Sequence, residues 1–189
     1  MEHKTLFALC MSSCLLLLSS TAWAQIEVEP GQRYLLLATE RTGTMEEELA
    51  EAAALGFRIV TGSPTSGNEM ALLLERVATP PDTYQYQLLA TTRTSTMQEE
   101  LTEAAAEGFR LLPRTMIAKT GRWTGGQEVI VVLERSPGGG DLRYEYRLLA
   151  TNLTGTLQVE LSQALDAGFT FSGLVSRDEH MVILEREVP

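Results

Sequence analysis

The chain has 189 residues and a formal net charge of −10 at neutral pH, from 25 acidic and 15 basic residues. This length accommodates one domain or several small modules, and the negative charge disfavours a general affinity for nucleic acid or anionic lipid. Only two cysteines and two histidines occur, so few side chains are suited to binding metals or acting as nucleophiles. We therefore expect neither a metal site nor a cofactor.

The N-terminal segment, residues 1–24, has the composition of a secretory signal. Lys4 precedes an apolar run from Leu6 to Leu18, and Ala22-Trp23-Ala24 supplies the small residues that signal peptidase recognises. The run of about 13 residues is shorter than the roughly 20 of a membrane-spanning helix, which makes a membrane anchor the less favoured interpretation. We predict cleavage after Ala24 and a mature bacterial protein that is periplasmic or secreted, without a transmembrane segment.

The side chains with the most versatile chemistry are lost with this signal. His3, Cys10 and Cys14 precede the predicted cleavage site, so the mature chain keeps His180 as its one histidine. The mature protein then has no thiolate ligand, thiol nucleophile or disulfide. No serine lies in a nucleophile-elbow motif, and we interpret His180 as a turn residue rather than a metal ligand or a triad member.

Beyond the signal, the chain is a threefold internal repeat. Each copy contains Tyr-x-Leu-Leu-Ala-Thr, then Gly-Phe with its glycine 22 residues after the tyrosine, then Leu-Glu-Arg. From that glycine to the glutamate the distance is 19, 26 and 17 residues in the three copies, so the variable loop lies in the rear half of the unit. The repeat units span residues 33–77, 84–136 and 143–188.

The first two elements of each unit are predicted to be a strand and a helix. Tyr84, Tyr86 and Leu88 alternate with polar residues, as in a half-buried strand. Next, Met97 and Leu101 open a narrow apolar stripe at helical spacing that recurs in the other copies. A helix therefore follows the first strand of every unit.

Both ends of this helix have recognisable sequence signals. Thr44 with Glu47, and Thr96 with Glu99, have the spacing of a capping box, which predicts the N-terminus. The glycine of Gly-Phe is typical of the left-handed residue that ends a helix. We interpret this glycine as a stop signal rather than a ligand-binding residue.

Two further strands complete each unit. The last one is apolar on successive residues, as from Val129 to Leu133, which implies cover on both faces and a central position in the sheet. We predict the strand order first–third–second, with the helix as the crossover. The fold class is α+β: three tandem β-α-β-β units, each a three-stranded sheet with one helix packed on one face.

Units of roughly 45–55 residues are marginally stable on their own without disulfides or metals. We therefore expect the three units to pack on one another through the sheet faces that their helices leave open. Pro- and Gly-rich linkers at 78–81 and 136–140 mark the boundaries. The Glu-Arg pairs that end the third strands are interpreted as surface charges at a sheet edge.

The motifs of the third copy resemble a small bacterial family, domain of unknown function 4177. They are Tyr144-Glu145-Tyr146-Arg147, Ala167-Gly168-Phe169 and Ile183-Leu184-Glu185-Arg186. Members of that family run Tyr-x-Tyr-Lys, a helix, Gly-Trp-Glu and a strand ending in Lys-Arg; here phenylalanine replaces the tryptophan and Glu-Arg replaces Lys-Arg. The resemblance covers most of the mature chain. It implies the fold but brings no catalytic residue or ligand.

Copy two carries an insertion between its last two strands, from about Pro113 to Gln127. It contains Arg114, Lys119, Arg122 and Trp123, and no acidic residue lies between Glu107 and Glu128. A basic loop with an aromatic residue, on an acidic protein, is typical of a recognition element for an anionic or aromatic partner. The alternative is a long hairpin whose Trp123 and Met116 pack against a neighbouring copy.

The sequence favours a non-catalytic exported module that binds an unknown protein or envelope component. One alternative is a structural or accessory envelope protein that pairs through its sheet edges. Another is an enzyme that uses only carboxylates, such as Glu46, Glu47, Glu48 and Glu51. The helix dipole explains those acids more simply, and three similar units seldom all keep one asymmetric active site.

Overall fold

The computed structural model describes residues 26–65, 68–77, 84–120, 126–138 and 142–188. The predicted signal and the linker at 78–81 lie outside these residues, as do positions 139–140 of the second linker. Among the helices of the described ranges, none is long and apolar enough to cross a membrane.

The order strand, helix, strand, strand recurs in every unit, but in the second unit a 3-10 helix divides the second strand in two. The first unit contains β1 (Tyr34–Thr39), α1 (Thr42–Ala54), β2 (Phe57–Pro64) and β3 (Met70–Arg76). The second contains β4 (Gln85–Thr91), α2 (Thr94–Ala106), β5 (Arg110–Leu111), a 3-10 helix (Pro113–Thr115), β6 (Ile117–Thr120) and β7 (Gln127–Arg135). The third contains β8 (Arg143–Thr151), α3 (Thr154–Asp166), β9 (Thr170–Ser176) and β10 (His180–Val188).

Each unit is an antiparallel sheet with one helix, which confirms the α+β prediction. The sheet orders are β1-β3-β2, β4-β7-β5 with β6 also paired to β7, and β8-β10-β9. The apolar third strand is thus central in each sheet, as predicted. A bulge interrupts β2 between Ile59 and Thr61, and β9 and β10 shift register between Ile183 and Leu184.

The helices begin earlier than the sequence predicted. α1 starts at Thr42, and its N-cap residue Arg41 makes no side-chain capping bond. The hydroxyl of Thr39 accepts the Arg41 N–H at 3.3 Å, and the Arg41 carbonyl accepts the first intrahelical hydrogen bond. The prediction of capping boxes at Thr44 and Thr96 is therefore wrong, because the turn before each helix is set by the threonine that ends the preceding strand.

The helices end as predicted, at glycines with φ of +86°, +85° and +86° in the three copies. In the first unit, Arg76 donates to the Leu55 carbonyl at 3.1 Å and lies 4.4 Å from the centre of the Phe57 ring. Arg135 and Arg186 repeat both contacts. The Glu-Arg pairs are predicted to be surface charges at a sheet edge. Arg76 and Arg135 are exposed, but the placement at a sheet edge is wrong, because the strand is central and its arginine caps the helix.

The units stack in the order sheet, helix, sheet, helix, sheet, helix. Met45 of α1 lies in one core cluster with its own sheet and with Ile130 and Val132 of the second sheet. α2 lies in the same way against Met181 and Ile183 of the third sheet. All five side chains have no exposed surface. As predicted, the units pack through the sheet faces that their own helices leave open.

Candidate functional site

The copy-two insertion is built around the 3-10 helix. Together β5 and β6 occupy the position that β2 fills in the first unit, and the helix interrupts them. Pro113 suits its first position, where no N–H partner is needed. Thr115, fully buried, holds the segment in place because its hydroxyl donates to the Leu112 carbonyl at 2.7 Å and accepts the Val132 N–H at 2.9 Å.

The insertion touches both neighbouring units, through alternate residues. A Cβ atom on Gly62 of β2 would lie 3.0 Å from the Ile117 side chain and 3.3 Å from the Thr115 backbone. On the other side, Met116 packs against Gly173 of β9 and joins the core cluster shared by units two and three. Met116 therefore packs on a neighbouring copy, as the alternative interpretation of the insertion expected.

Lys119, one of the four predicted binding residues, is buried with 5% exposure. Its ammonium donates to the Glu40 carbonyl at 2.6 Å and lies 3.8 Å from a carboxylate oxygen of Glu128. Arg177 makes the equivalent contact one unit later, to the Thr92 carbonyl at 2.9 Å. Lys119 thus fastens its unit to the preceding one.

Arg114 is the predicted binding residue that the structure places on the exposed surface. Its carbonyl accepts the hydroxyl of Thr61 at 3.2 Å, which ties the 3-10 helix to β2 and leaves the guanidinium outside that contact. Arg122 and Trp123 lie outside the described residues. Of the four predicted residues, the structure therefore separates Arg114 at the surface from Lys119 in the interior.

Two arginine–glutamate pairs bridge successive units beside this insertion. Arg58 binds Glu134 in a bidentate arrangement at 2.8 and 3.0 Å, and Arg110 binds Glu185 at 2.6 and 3.3 Å. The hydrogen bond to each carboxylate raises the pKa of the arginine. The second strand of one unit is thereby fixed to the third strand of the next by charge-assisted bonds.

Two tyrosines, the half-buried Tyr86 and the buried Tyr146, repeat the same connection between units. The hydroxyl of Tyr86 accepts the Ile59 N–H at 3.2 Å and donates to Glu134 at 3.2 Å, while that of Tyr146 accepts the Leu111 N–H at 2.8 Å. Burial is the main cause that raises the pKa of both tyrosines. Both hydroxyls therefore stay protonated and bridge the units as neutral groups.

Two adjoining clefts, which share Leu112 and Pro113, open along the 3-10 helix. The larger has a volume of ≈ 270 Å³, and its walls include both arginine–glutamate pairs and Ser136. The smaller has a volume of ≈ 210 Å³ and is lined mainly by apolar groups, with Arg114 at its edge. We call these two clefts together the insertion groove. It combines an apolar recess, two arginine–glutamate pairs and Arg114, an exposed arginine outside those pairs.

Within the described ranges, the structure does not bring together the residues of a metal site, a catalytic triad or a carboxylate pair. No group of three or more His, Cys, Asp or Glu side chains there is positioned to hold a metal ion. The His180 ring lies 2.9 Å from the Ser176 hydroxyl across a hairpin. His180 is the first residue of β10 and pairs with Ser176 of β9, so its interpretation as a turn residue is wrong by one position. Burial raises the pKa of Glu48 and Glu100, with neighbouring acids adding to the shift, yet each stands on a separate helix.

The residues that join the units were not identified from the sequence. A signal did exist: arginine follows Gly-Phe in copies one and two, as Arg58 and Arg110, whereas copy three has Thr170. An arginine that is present in the two copies with a following unit, and absent from the last copy, is what a contact between units requires.

Comparison with known proteins adds no further constraint. No protein-family model, no curated protein and no solved structure matches this chain significantly.

Proposed function

We propose that this protein is an exported, non-catalytic interaction module that binds a protein or envelope component at the insertion groove. The observation that supports this proposal is the juxtaposition of an apolar recess of ≈ 210 Å³ with the exposed guanidinium of Arg114. Export rests on the signal-like segment ending at Ala24, and the interpretation as a module rests on the threefold repeat.

The chemistry of the groove favours a peptide segment that carries an apolar side chain next to an acidic one. The apolar side chain fits the recess formed by Ile59, Val60 and Leu112, where burial stabilises it. Its acidic neighbour pairs with Arg114, which forms no ion pair within the described residues. The two arginine–glutamate pairs contribute little net charge, because each arginine is already neutralised by a glutamate.

Substitution of both predicted surface arginines, Arg114→Ser and Arg122→Ser, tests this proposal. Lys119 is left in place because it is buried and its loss would disturb the fold. The readout is crosslinked co-purification from envelope extract, followed by measured affinity for the recovered partner. We expect at least a tenfold loss, about 1.4 kcal/mol, and a steeper salt dependence in the parent protein. Arg143→Ser, another exposed arginine, is the matched control.

Unchanged recovery with the double variant, or an equal loss with the control, would contradict the groove as the binding site. Export has its own test, the intact mass of the protein released from cells. That mass is expected to correspond to a chain beginning at Gln25. A mass that includes the N-terminal segment would contradict cleavage.

A structural or accessory role through sheet edges is the second candidate. The strand orders leave the first and second strands of each unit at sheet edges, where an added strand from a partner can pair with the backbone. Such a partner would depend on backbone pairing rather than on Arg114. Retention of binding after Arg114→Ser, together with loss after a proline is placed in β9, would favour this role.

A further inference from the structure

The two ends of the stack expose surfaces whose equivalents are buried between units. We define the head face as the outer face of the first sheet, formed by Tyr34, Leu36, Ala71 and Leu73. We define the tail face as the outer side of the third unit, formed by Leu157, Gln158, Leu161, Leu165, Phe171 and Leu174. The internal contacts between units show what such faces bind, because each internal contact joins one head-type face to one tail-type face.

Three apolar residues of the tail face, Leu161, Leu165 and Phe171, correspond to buried residues in copy two. Leu161 is only half-buried, whereas Leu101 at the same helical position has no exposed surface. Leu165 is 47% exposed, whereas Ala105 at the equivalent position is 4% exposed. Phe171, 56% exposed, stands in the position of Leu111, which is 1% exposed. The difference arises because α1 and α2 each lie against the sheet of the next unit, whereas among the described residues α3 lies against its own sheet alone.

The head face shows the same difference from the other side of the contact. Leu36 is 65% exposed and Ala71 half-buried, whereas Ile130, which stands in the position of Ala71, is fully buried against α1. Compared with an internal contact, one side chain is larger on the tail face and one is smaller on the head face, so the two changes in volume offset each other. The tail has the larger Leu165 where an internal contact has alanine, and the head has Ala71 where an internal contact has isoleucine.

At each internal contact, a helix side chain accepts a hydrogen bond from the first strand of the next unit. Glu46 of α1 accepts the Leu88 N–H at 3.4 Å, and Gln98 of α2 accepts the Leu148 N–H at 2.8 Å. Gln98 also donates to the Tyr146 carbonyl at 3.0 Å. Gln158 holds this position in α3 and is exposed. Its counterpart on the head face is the backbone of Leu36.

The head and tail faces also carry the two partners of the tyrosine contact between units. Between units, the hydroxyl of a tyrosine in or near the first strand accepts a backbone N–H of the preceding unit. The donor is the second residue after the phenylalanine of Gly-Phe, which is Ile59 for Tyr86 and Leu111 for Tyr146. Tyr34 holds the tyrosine position on the head face and is 46% exposed. Phe171 holds the N–H position on the tail face. Both halves of this contact are therefore available on one chain, at opposite ends.

We propose that the protein associates head to tail, with the tail face of one copy packed on the head face of the next as units pack internally. The association is heterologous, so a dimer, like any longer chain of copies, keeps one free head face at one end and one free tail face at the other. The product is an open chain of copies rather than a closed dimer. This inference does not depend on the insertion groove, which lies at the internal contacts.

The end faces lack the charged part of the internal contacts, which limits the affinity. Thr170 stands where Arg58 and Arg110 bind a glutamate of the next unit. In addition, Gln32 stands where Tyr84 and Tyr144 lie beneath those arginines, at 4.6 and 4.5 Å. We therefore expect reversible association that depends on protein concentration. Because apolar contact dominates and each chain is acidic, added salt strengthens it.

Sedimentation of the mature chain at increasing concentration tests the proposal. We expect the weight-average mass to rise steadily without a plateau at the dimer. Leu36→Lys removes the head face and Leu165→Lys removes the tail face, so each variant alone is expected to be monomeric. An equimolar mixture of the two variants forms a dimer that grows no further, because the intact tail of one binds the intact head of the other.

Two further variants make the test specific. Val159→Lys adds the same charge to α3 at a position that is exposed in every copy, as Glu47 and Glu99 are, and is expected to associate like the parent. Gln158→Ala is expected to weaken association by about threefold to tenfold. A parent chain that stays monomeric at sub-millimolar concentration would overturn the proposal, as would association that persists in either lysine variant alone.

Discussion

Several single side chains make polar contacts between the units, and Tyr146 is the most buried of the tyrosines that do so. It is 4% exposed, and its hydroxyl accepts the buried Leu111 N–H at 2.8 Å. Tyr146→Phe leaves that N–H without a partner, so we expect the free energy of unfolding to fall by about 1–2 kcal/mol in urea denaturation. Tyr34→Phe at the exposed equivalent position is the control, and in dilute solution it should change little.

Glu100 gives the protein a pH dependence of known sign. One of its carboxylate oxygens is buried without a hydrogen-bond partner among the described residues, and burial followed by repulsion from Glu103 and Glu99 raises its pKa. A raised folded-state pKa means that its contribution to stability is present below the ordinary value of 4.5 and lost as pH rises through the raised value.

We therefore expect Glu100→Gln to raise the thermal unfolding midpoint at neutral pH. That gain should disappear well below pH 4.5, the ordinary pKa of glutamate, where the carboxyl is protonated in both the folded and the unfolded state. Glu99→Gln, at an exposed position of the same turn, is expected to change the midpoint less. An equal gain from both variants would attribute the effect to net charge instead of to the burial of Glu100.

Side-chain roles were the hardest feature to predict from the sequence. Lys119 stands in a basic segment, which predicts a place on a binding surface, yet it is buried against the carbonyl of Glu40. That partner lies 79 residues away in the sequence, so no local pattern indicates the burial. Arg114 in the same segment is exposed. Sequence pattern identifies the charge of such residues, but the direction of each side chain depends on contacts with another unit.

At the scale of elements, α3 offers a direct comparison of two glycines. Gly168, just past the helix, has φ of +86°, so Gly168→Ala forces a left-handed residue and should cost roughly 1–2 kcal/mol of stability. Gly155 lies inside the first turn, and a Cβ added to it would meet no neighbouring atom within 4 Å, so Gly155→Ala should stabilise by roughly 0.5–1 kcal/mol. Chemical denaturation measures both; a loss of stability in Gly155→Ala would contradict the helical geometry of that turn.

Element types and strand order could be predicted because their signals are local. The apolar run from Val129 to Leu133 is sufficient to place the third strand at the centre of its sheet. The helix starts were misplaced because Thr44 and Glu47 have the spacing of a capping box, whereas α1 begins at Thr42 after the N-cap residue Arg41. The N–H of Arg41 is held by Thr39, which ends the preceding strand. The 3-10 helix had no local signal beyond Pro113, since the Thr115 hydroxyl that fixes it binds β7.

At the scale of the whole molecule, the protein is a short linear stack in which each unit contacts its neighbours. In such repeat proteins, stability is approximately the sum of unit stabilities and of the contacts between adjacent units. The arginine–glutamate pairs are well suited to measure the second quantity, because Arg58 and Glu134 belong to different units whereas Arg33 and Glu75 belong to one.

A double-mutant cycle on Arg58 and Glu134, using alanine at each position, should therefore reveal coupling between units. Glu134 is 4% exposed and Arg58 44% exposed, so after allowance for solvent screening at the arginine we expect a coupling of about 1 kcal/mol. The coupling should persist at high salt, since the carboxylate is shielded from mobile ions. The measurement is urea denaturation of the parent, the two single variants and the double variant.

The matched cycle on Arg33 and Glu75 separates contact between units from charge pairing in general. These side chains are 71% and 38% exposed, so their coupling should be smaller and should vanish at high salt. Equal coupling in the two cycles would mean that the pairs between units add nothing beyond surface attraction. The stack would then be held by its apolar layers and tyrosine hydroxyls. A second copy could in that case bind the tail face although Thr170 stands there in place of an arginine.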